Sequence, residues 1–139
     1  MTAAKSIWFR EWTPKDFNDV HEGSFAARCG VVVTEVRPDA LIGEMVYRPP
    51  GSGSLGILAE SLGSIAAWLS VDHAKFTVVG VDINLSSVGT PQPGSTVYAE
   101  TRPYLMNDQQ QLWGVDMRDE NGNLLATSRI SVMVMPAKG

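Results

Sequence analysis

The strongest apolar periodicity of the chain lies between positions 55 and 70. Its large apolar residues recur at three- and four-residue spacing, which places them on one side of a helix: Leu55, Leu58, Leu62, Ile65 and Leu69. We therefore predict the main helix over 55–70. Ser54 is its expected N-cap, because a serine hydroxyl can accept a hydrogen bond from the free N–H groups of the first turn.

Alternating apolar and polar residues predict strands on both sides of this helix. The predicted strands are 30–36 and 41–47 before the helix, and 76–85, 96–104, 110–118 and 124–135 after it. Between the last two strands, Asn121-Gly122 predicts a type I′ hairpin turn, since these residues tolerate the positive φ angles that this turn needs.

A short helix is expected near the N-terminus, over 14–20. Thr13 can cap it, Pro14 suits its first position, and Asp16 faces the positive end of the helix dipole. Nearby aromatic side chains are expected to hold this segment to the rest of the molecule: Trp8, Trp12 and Phe17. The predicted order of elements favours a single α+β domain over 1–139, in which a curved antiparallel sheet wraps one long central helix.

The composition mainly argues against certain classes of protein. A net charge of −4 argues against a nucleic-acid binder, which would usually carry a basic stripe. The single cysteine, Cys29, is expected to be a small core residue, and no metal-ligand spacing is present, so we expect no metal or cofactor. No apolar run reaches the roughly 18 residues of a membrane span. Since no signal peptide is visible either, we expect a cytoplasmic protein without a membrane partner.

Glu60 is the one candidate for a catalytic group that the pattern itself singles out. It is the only charged residue between positions 49 and 71, and a helical projection places it opposite the apolar stripe, among Gly56, Gly63 and Ser64. Glycine inside a helix costs about 0.5–1 kcal/mol relative to alanine, so the two glycines suggest that a ligand or another backbone approaches this face. A carboxylate there can act as a base or nucleophile. A solvent-exposed glutamate without a catalytic role is the alternative that the spacing leaves open.

The segment 59–64, Ala-Glu-Ser-Leu-Gly-Ser, resembles the central-helix motif of hotdog-fold thioesterases. Within that family, the chain is most similar to the proofreading thioesterases of enterobactin synthesis and to hydrolases of hydroxybenzoyl-CoA and dihydroxynaphthoyl-CoA. The other matching pieces follow in order along the chain: Ile7-Trp8, Thr13, Phe17-Asn18, Val78-Val79-Gly80, Asn84, Trp113, Asp119-Glu120, Gly122 and Ser128-Arg129.

The resemblance implies roles for several residues. Glu60 falls on the family's helix glutamate, which acts as nucleophile or general base on the thioester carbonyl, and Ser64 falls on the hydroxyl residue one turn later. The family's active sites lie between two subunits, which implies a homodimer or homotetramer. Ser52 and Gly53 are candidates for stabilising the oxyanion, because backbone N–H groups at a helix N-terminus need no side chain for this. Gly63 is expected to lie near the substrate.

The chain also departs from the family pattern. The family has His-Gly-Gly at the start of the central helix, where this chain has Gly51-Ser52-Gly53, and the segment between Glu44 and Glu60 is shorter. Positions 85–91 carry no charge, although the family has a basic residue there near the CoA phosphates. His21 and His73 are expected to be surface residues, and replacement of the missing histidine by one of them stays open.

Three functions therefore remain. The first is hydrolysis of an acyl-CoA or acyl-carrier-protein thioester with an aryl or medium acyl group. The second is a catalytically degenerate or redesigned hotdog protein that binds a hydrophobic ligand at the dimer interface; Gly-Ser alternation at 51–54 is also typical of a designed linker. The third is a lyase or isomerase with Glu60 as base. If CoA binds, its phosphates need other basic residues: Arg48, Lys75, Arg102, Arg129 or Lys138.

Overall fold

A computed structural model describes residues 5–48 and 53–138 of the chain. Its elements, in chain order, are α1 (Pro14–Val20), α2 (Phe25–Arg28), β1 (Val32–Arg37), β2 (Ala40–Val46), α3 (Gly53–Leu69), β3 (Phe76–Ser87), β4 (Thr96–Met106), β5 (Gln110–Arg118) and β6 (Leu124–Pro136). The predicted long helix and all six predicted strands are present. The sequence reading missed α2. It also placed the start of α3 too late, since Gly53 begins the helix and Ser54 lies in its first turn.

The six strands form one sheet with the order β1-β2-β4-β5-β6-β3, and every neighbouring pair is antiparallel. The helix α3 packs against β2, β3, β4, β5 and β6. All five residues of the predicted apolar stripe are buried in the core between α3 and the sheet. The predicted α+β layout, with one long helix packed against an antiparallel sheet, is therefore confirmed.

The N-terminal segment is fixed to the core by its tryptophans, as the sequence indicated. The indole N–H of Trp8 donates to the carbonyl of Arg37 at 2.6 Å, and its ring stacks on Trp113. The indole N–H of Trp12 donates to the carbonyl of Leu69 at 3.0 Å. The predicted cap of α1 is present, since Thr13 and Asp16 form a reciprocal capping box. These contacts place the end of α1 beside α3.

The hairpin between β5 and β6 corrects one prediction. Gly122 has a φ of 82°, but no non-glycine residue in the described ranges has a positive φ, so Asn121 does not adopt the conformation of a type I′ turn. Instead, the N–H of Gly122 donates to the carbonyl of Asp119 at 3.0 Å, and the Asp119 carboxylate accepts from the N–H groups of Asn121 and Asn123. The aspartate side chain therefore supports a longer turn than the two-residue one expected.

Gly63 marks the closest approach of α3 to β6. A Cβ atom at Gly63 would lie 2.8 Å from Cδ1 and 2.9 Å from Cγ1 of Ile130. Gly63 is thus buried against the sheet, which corrects its expected place near the substrate. At Gly56, by contrast, a Cβ would meet no atom within 4 Å.

This difference gives a matched pair of variants. Gly63→Ala should lower the free energy of unfolding by about 1–3 kcal/mol, because its methyl group overpacks against Ile130. Gly56→Ala should leave it unchanged or raise it by about 0.5–1 kcal/mol, because alanine is the better helix former and has room. Urea unfolding of both proteins measures the difference, and equal stability of the two variants would contradict the close helix–sheet contact.

Candidate active site

Glu60 lies in the middle of α3, with its side chain exposed in the single chain. The hydroxyl of Ser64, one turn later, donates to Oε1 of Glu60 at 2.7 Å. The structure therefore joins the two residues that the sequence proposed as a catalytic pair. The bond holds one carboxylate oxygen and leaves the other available to a water or a substrate.

Two cavities meet at Glu60. The first, of about 290 Å³, is called here the histidine cavity and is lined by His21, Ser24, Ala26, Glu60, Ser61, Ser64, Ile65, Trp68 and Val78. The second, of about 470 Å³, is called the strand cavity and is lined by Phe25, Ala26, Gly53, Gly56, Ile57, Glu60, Ser61, Ile83, Asn84 and Leu85. Among the described residues that line the strand cavity, Glu60 is the one ionisable residue. Its other walls are largely apolar.

The short helix α2, which no sequence signal revealed, forms a wall of both cavities. Ser24 caps it by accepting from the N–H of Ala27 at 3.2 Å, and Ala26 lines both cavities. A Ser-Phe-Ala-Ala-Arg run is compatible with a capped helical turn. With only four helical residues, however, it has no periodicity that would separate it from a loop.

A third cavity, called here the α2 groove, continues from the histidine cavity along α2. It has a volume of about 480 Å³ and shares His21, Ser24, Ala26 and Ile65 with the histidine cavity. Its lining extends to Arg28 at the last turn of α2. Arg28 also lines a fourth cavity, of about 300 Å³, together with Arg48 and with Ser54 in the first turn of α3. A row of neighbouring cavities therefore runs along α2, from Glu60 to Arg28 and Arg48.

His21 lies at the junction of the histidine cavity and the α2 groove, which corrects its expected place on the open surface. Its ring stacks on Phe17 with 3.8 Å between centroids and meets the edge of Trp68 at 6.1 Å. Burial lowers the pKa of His21 below its usual 6.5, and the Phe17 carbonyl acts weakly in the opposite direction. The imidazole is therefore mainly neutral near pH 7.

His73 has a different environment. It stacks on Trp68 with 3.9 Å between centroids, and its Nε2 donates to the carbonyl of Trp68 at 2.7 Å. It does not line either cavity beside Glu60. His73 therefore closes the end of α3, and of the two histidines in the chain only His21 reaches the site.

Of the other predicted site residues, one lies near Glu60, one lies away from it, and one is outside the described residues. Gly53, the first residue of α3, lines the strand cavity together with Glu60. The first N–H groups of a helix have no partner within the helix, so they can point at a ligand there. Ser52 lies outside the described residues. Gly63 faces Ile130 and is separated from both cavities.

Within 5–48 and 53–138, no three His, Cys, Asp or Glu side chains lie close enough together to hold a metal ion. Over the same residues, none of the helices combines the length and the apolar character needed to span a bilayer.

The arrangement is suited to acyl transfer to water. A carboxylate oriented by a hydroxyl can remove a proton from water, and helix N-terminal N–H groups can stabilise negative charge on a carbonyl oxygen. The largely apolar walls leave room for an acyl group on either side of the carboxylate.

Comparisons with known proteins agree with this geometry, although no protein-family model matches the chain. The chain is 31% identical over 136 residues to the proofreading thioesterase EntH of Klebsiella pneumoniae, an alignment that covers 92% of this chain and 98% of that protein. It is 28% identical over 137 residues to the 1,4-dihydroxy-2-naphthoyl-CoA hydrolase of Escherichia coli, covering 93% and 99%.

The same result comes from solved structures. A thioesterase from Haemophilus influenzae superimposes with a TM-score of 0.87 at 26% identity, covering 96% of this chain and 97% of that one. A mutant thioesterase from Pseudomonas aeruginosa gives a TM-score of 0.88 at 22% identity, covering 94% and 99%, which supports the fold. The predicted hotdog fold is confirmed, and the relatives support thioester hydrolysis as the general activity. The chain belongs to the hotdog thioesterase family.

Proposed function

We propose that this protein hydrolyses acyl thioesters with Glu60 as the general base. The observation that supports this most directly is the 2.7 Å hydrogen bond from Ser64 to a carboxylate that stands where two cavities meet. A structural glutamate on an outer helix face would need neither the oriented hydroxyl nor the cavities.

The reaction proceeds in two steps. The Glu60 carboxylate removes a proton from a water molecule while the water oxygen bonds to the thioester carbonyl carbon. The tetrahedral intermediate then collapses, the C–S bond breaks, and the thiolate receives the proton that Glu60 took. The products are a carboxylic acid and a free thiol. The N–H groups at the start of α3, near Gly53, are placed to stabilise the oxyanion.

Direct attack by Glu60 on the carbonyl is the other form of the same chemistry, and it leads through an enzyme-bound anhydride. A single turnover in H₂¹⁸O separates general-base catalysis from an anhydride that water cleaves at the Glu60 carboxyl carbon. General-base catalysis places the label in the product acid, because the water oxygen itself bonds to the carbonyl carbon. Attack by Glu60 followed by water addition at its own carboxyl carbon leaves the label in the protein.

The walls of the strand cavity favour an aryl or medium-length acyl group. Apolar and aromatic surface comes from Phe25, Ile57, Ile83 and Leu85, and Glu60 carries the only charge among the lining residues that the structure describes. The curated relatives include a hydrolase of a dihydroxynaphthoyl-CoA, an aryl thioester. The same class of acyl group fits this chain.

A second copy of the chain is expected to complete the site. The strand β3 is twelve residues long and lies at one edge of the sheet, paired only with β6. Three of its apolar residues are 40–52% exposed: Val79, Val81 and Ile83. A long apolar edge strand is a template for pairing with another chain. Since Ile83 also lines the strand cavity, β3 pairing would bring the second subunit to Glu60.

A screen with a thiol reagent tests the proposed activity. The wild-type protein should release free thiol from aryl-CoA and medium-chain acyl-CoA substrates, and from the matching carrier-protein thioesters. The relative rates identify the acyl group and the carrier. Absence of thiol release from every ester would overturn the proposal.

CoA phosphates would be held at the far end of the α2 groove. Arg28 and Arg48 line the same cavity there, and within the described residues neither forms an ion pair. Arg102, another candidate, is already engaged, with Glu100 at 2.6 Å and Asp39 at 2.7 Å. Arg48 is therefore the favoured phosphate ligand among the arginines that the sequence suggested.

Arg48→Gln should raise the KM for an acyl-CoA by up to about fivefold, because an exposed charge pair contributes about 1 kcal/mol or less. The effect should shrink as salt is raised, since exposed charges are screened over about 10 Å at 0.1 M. The matching N-acetylcysteamine thioester, which lacks phosphates, is the control substrate. An equal change in KM for both substrates would exclude a phosphate contact.

Ligand binding without turnover is the second candidate, and the neutral stretch at the end of β3 and just beyond it favours it. Positions 85–91 offer no charge to a CoA phosphate. A non-catalytic protein of this kind would bind the free acid as well as its thioester, whereas a hydrolase would release thiol. The screen described above therefore separates the two.

A further inference from the structure

We propose that His21 is a catalytic residue of this site, whose imidazole N–H donates a hydrogen bond to the thioester sulfur as the C–S bond breaks. This inference rests on the proposed thioester hydrolysis. It gives a role to the C-cap residue of α1, which is far in sequence from the start of α3.

The position of His21 is the main observation that supports this role. His21 lines the same cavity as Glu60 and Ser64, although 39 positions separate it from Glu60. The chain has two histidines, and the hydrogen bond to the Trp68 carbonyl occupies His73. His21 is thus the imidazole within reach of the reacting group.

The ring of His21 is held for such a contact. Phe17 stacks on one face and the edge of Trp68 approaches it, so the imidazole has little freedom to turn. Its Nδ1 is buried and finds no hydrogen-bond partner in the described part of the chain. A buried polar nitrogen without a partner is costly in a purely structural histidine. If Nδ1 has no partner, the neutral imidazole can carry its proton on Nε2, and we assign that N–H to the contact with the substrate.

The cavities favour the sulfur rather than the carbonyl oxygen as the atom that His21 contacts. Gly53, whose end of α3 is suited to the oxyanion, lies in the strand cavity, whereas His21 lies in the histidine cavity on the other side of Glu60. The α2 groove leads from His21 toward Arg28. A thiol arm that follows this groove places its sulfur beside the imidazole and its acyl group in the strand cavity.

The chemistry leaves His21 unchanged. The imidazole stabilises negative charge on the departing sulfur through its N–H and keeps its own proton. The thiolate receives the proton that Glu60 removed from water. Burial lowers the pKa of His21 and so favours the neutral ring, which has one N–H to donate.

Two esters of the same acyl group test this role. One has thiophenol as its leaving group and the other N-acetylcysteamine, a much weaker acid whose thiolate needs more stabilisation. His21→Phe keeps an aromatic ring next to Phe17 and removes the N–H donor. It should lower kcat for the N-acetylcysteamine ester by about 10²-fold, and for the thiophenyl ester by less than about tenfold. His21→Gln restores an N–H donor and should recover part of the loss.

The controls separate this inference from the proposed function. Glu11→Gln, an exposed residue that lines none of the four cavities described here, should match the wild type on both esters. Equal losses for both esters in His21→Phe would show a packing role and overturn the inference, as would wild-type rates. If His21→Phe fails to fold, His21→Gln gives the same comparison with a smaller ratio. Wild-type rates in Glu60→Gln would overturn the general-base proposal alone, and a wild type that cleaves neither ester would overturn both.

Discussion

Glu60→Gln is expected to lower kcat for thioester hydrolysis by at least about 10²-fold, the low end of what a positioned acid–base group supplies. The amide keeps the size of the side chain but can neither remove a proton from water nor attack a carbonyl. KM should change little, because the amide fills the same space between the two cavities. Thiol release by wild type and variant, measured with the same ester, gives the ratio.

Ser64→Ala provides the graded comparison. It removes the 2.7 Å hydrogen bond to Glu60 and leaves the carboxylate in place. Both side chains reach solvent, so this hydrogen bond to a carboxylate should contribute about 1.5 kcal/mol, the low end for a charged acceptor, and the loss in kcat should be roughly tenfold. A Ser64→Ala protein that is as impaired as Glu60→Gln would indicate that the hydroxyl itself reacts.

Stability measurements exclude a trivial cause for the Glu60 effect. The Glu60 side chain is exposed and, within the described residues, forms no ion pair. Glu60→Gln should therefore unfold at nearly the same urea concentration as the wild type. If hydrolysis were unchanged in this variant, the catalytic role of Glu60 would be wrong.

Val81→Lys is expected to convert the oligomer to monomers and to lower hydrolysis by at least about 10²-fold, if a second subunit is needed at the site. Val81 is 52% exposed on the edge strand β3, at the point where its register with β6 shifts. A lysine on an edge strand opposes pairing with another strand. Light scattering should give at least twice the 15.0 kDa of one chain for the wild type and 15.0 kDa for the variant.

Tyr98→Lys is the matched control for this variant. Tyr98 is also exposed, at 42%, but lies on β4, which β2 and β5 already pair on both sides. It should leave the dimer intact. A wild-type protein that is monomeric at micromolar concentration would show that β3 does not pair, and full activity of that monomer would show that one chain holds the whole site.

Local sequence patterns were sufficient to predict most of the helices and strands. The stripe from Leu55 to Leu69 repeats along about four helical turns, and each strand alternates over several residues, so the signal accumulates within each element. For the same reason the four-residue α2 escaped detection. The cap of α1 was predictable because Thr13, Pro14 and Asp16 act on neighbouring backbone groups.

The site was only partly predictable. Glu60 and Ser64 could be paired from sequence because a spacing of four residues on a helix fixes their distance. The environment of Gly63 could not, because a helical projection does not show how far a sheet wraps around the helix. Gly63 lies on the side that the projection assigned to Glu60, yet Ile130 of β6 reaches it.

The sequence by itself therefore determined the helices and strands that periodicity specifies, and the one carboxylate that stands out from an uncharged helix. Only the tertiary structure decided which distant residues surround that carboxylate. Trp8 and Trp12 bind the N-terminal segment to carbonyl groups of Arg37 and Leu69, and this anchoring brings His21 to the cavity of Glu60. Such contacts depend on the paths of the intervening loops, and no local spacing encodes them.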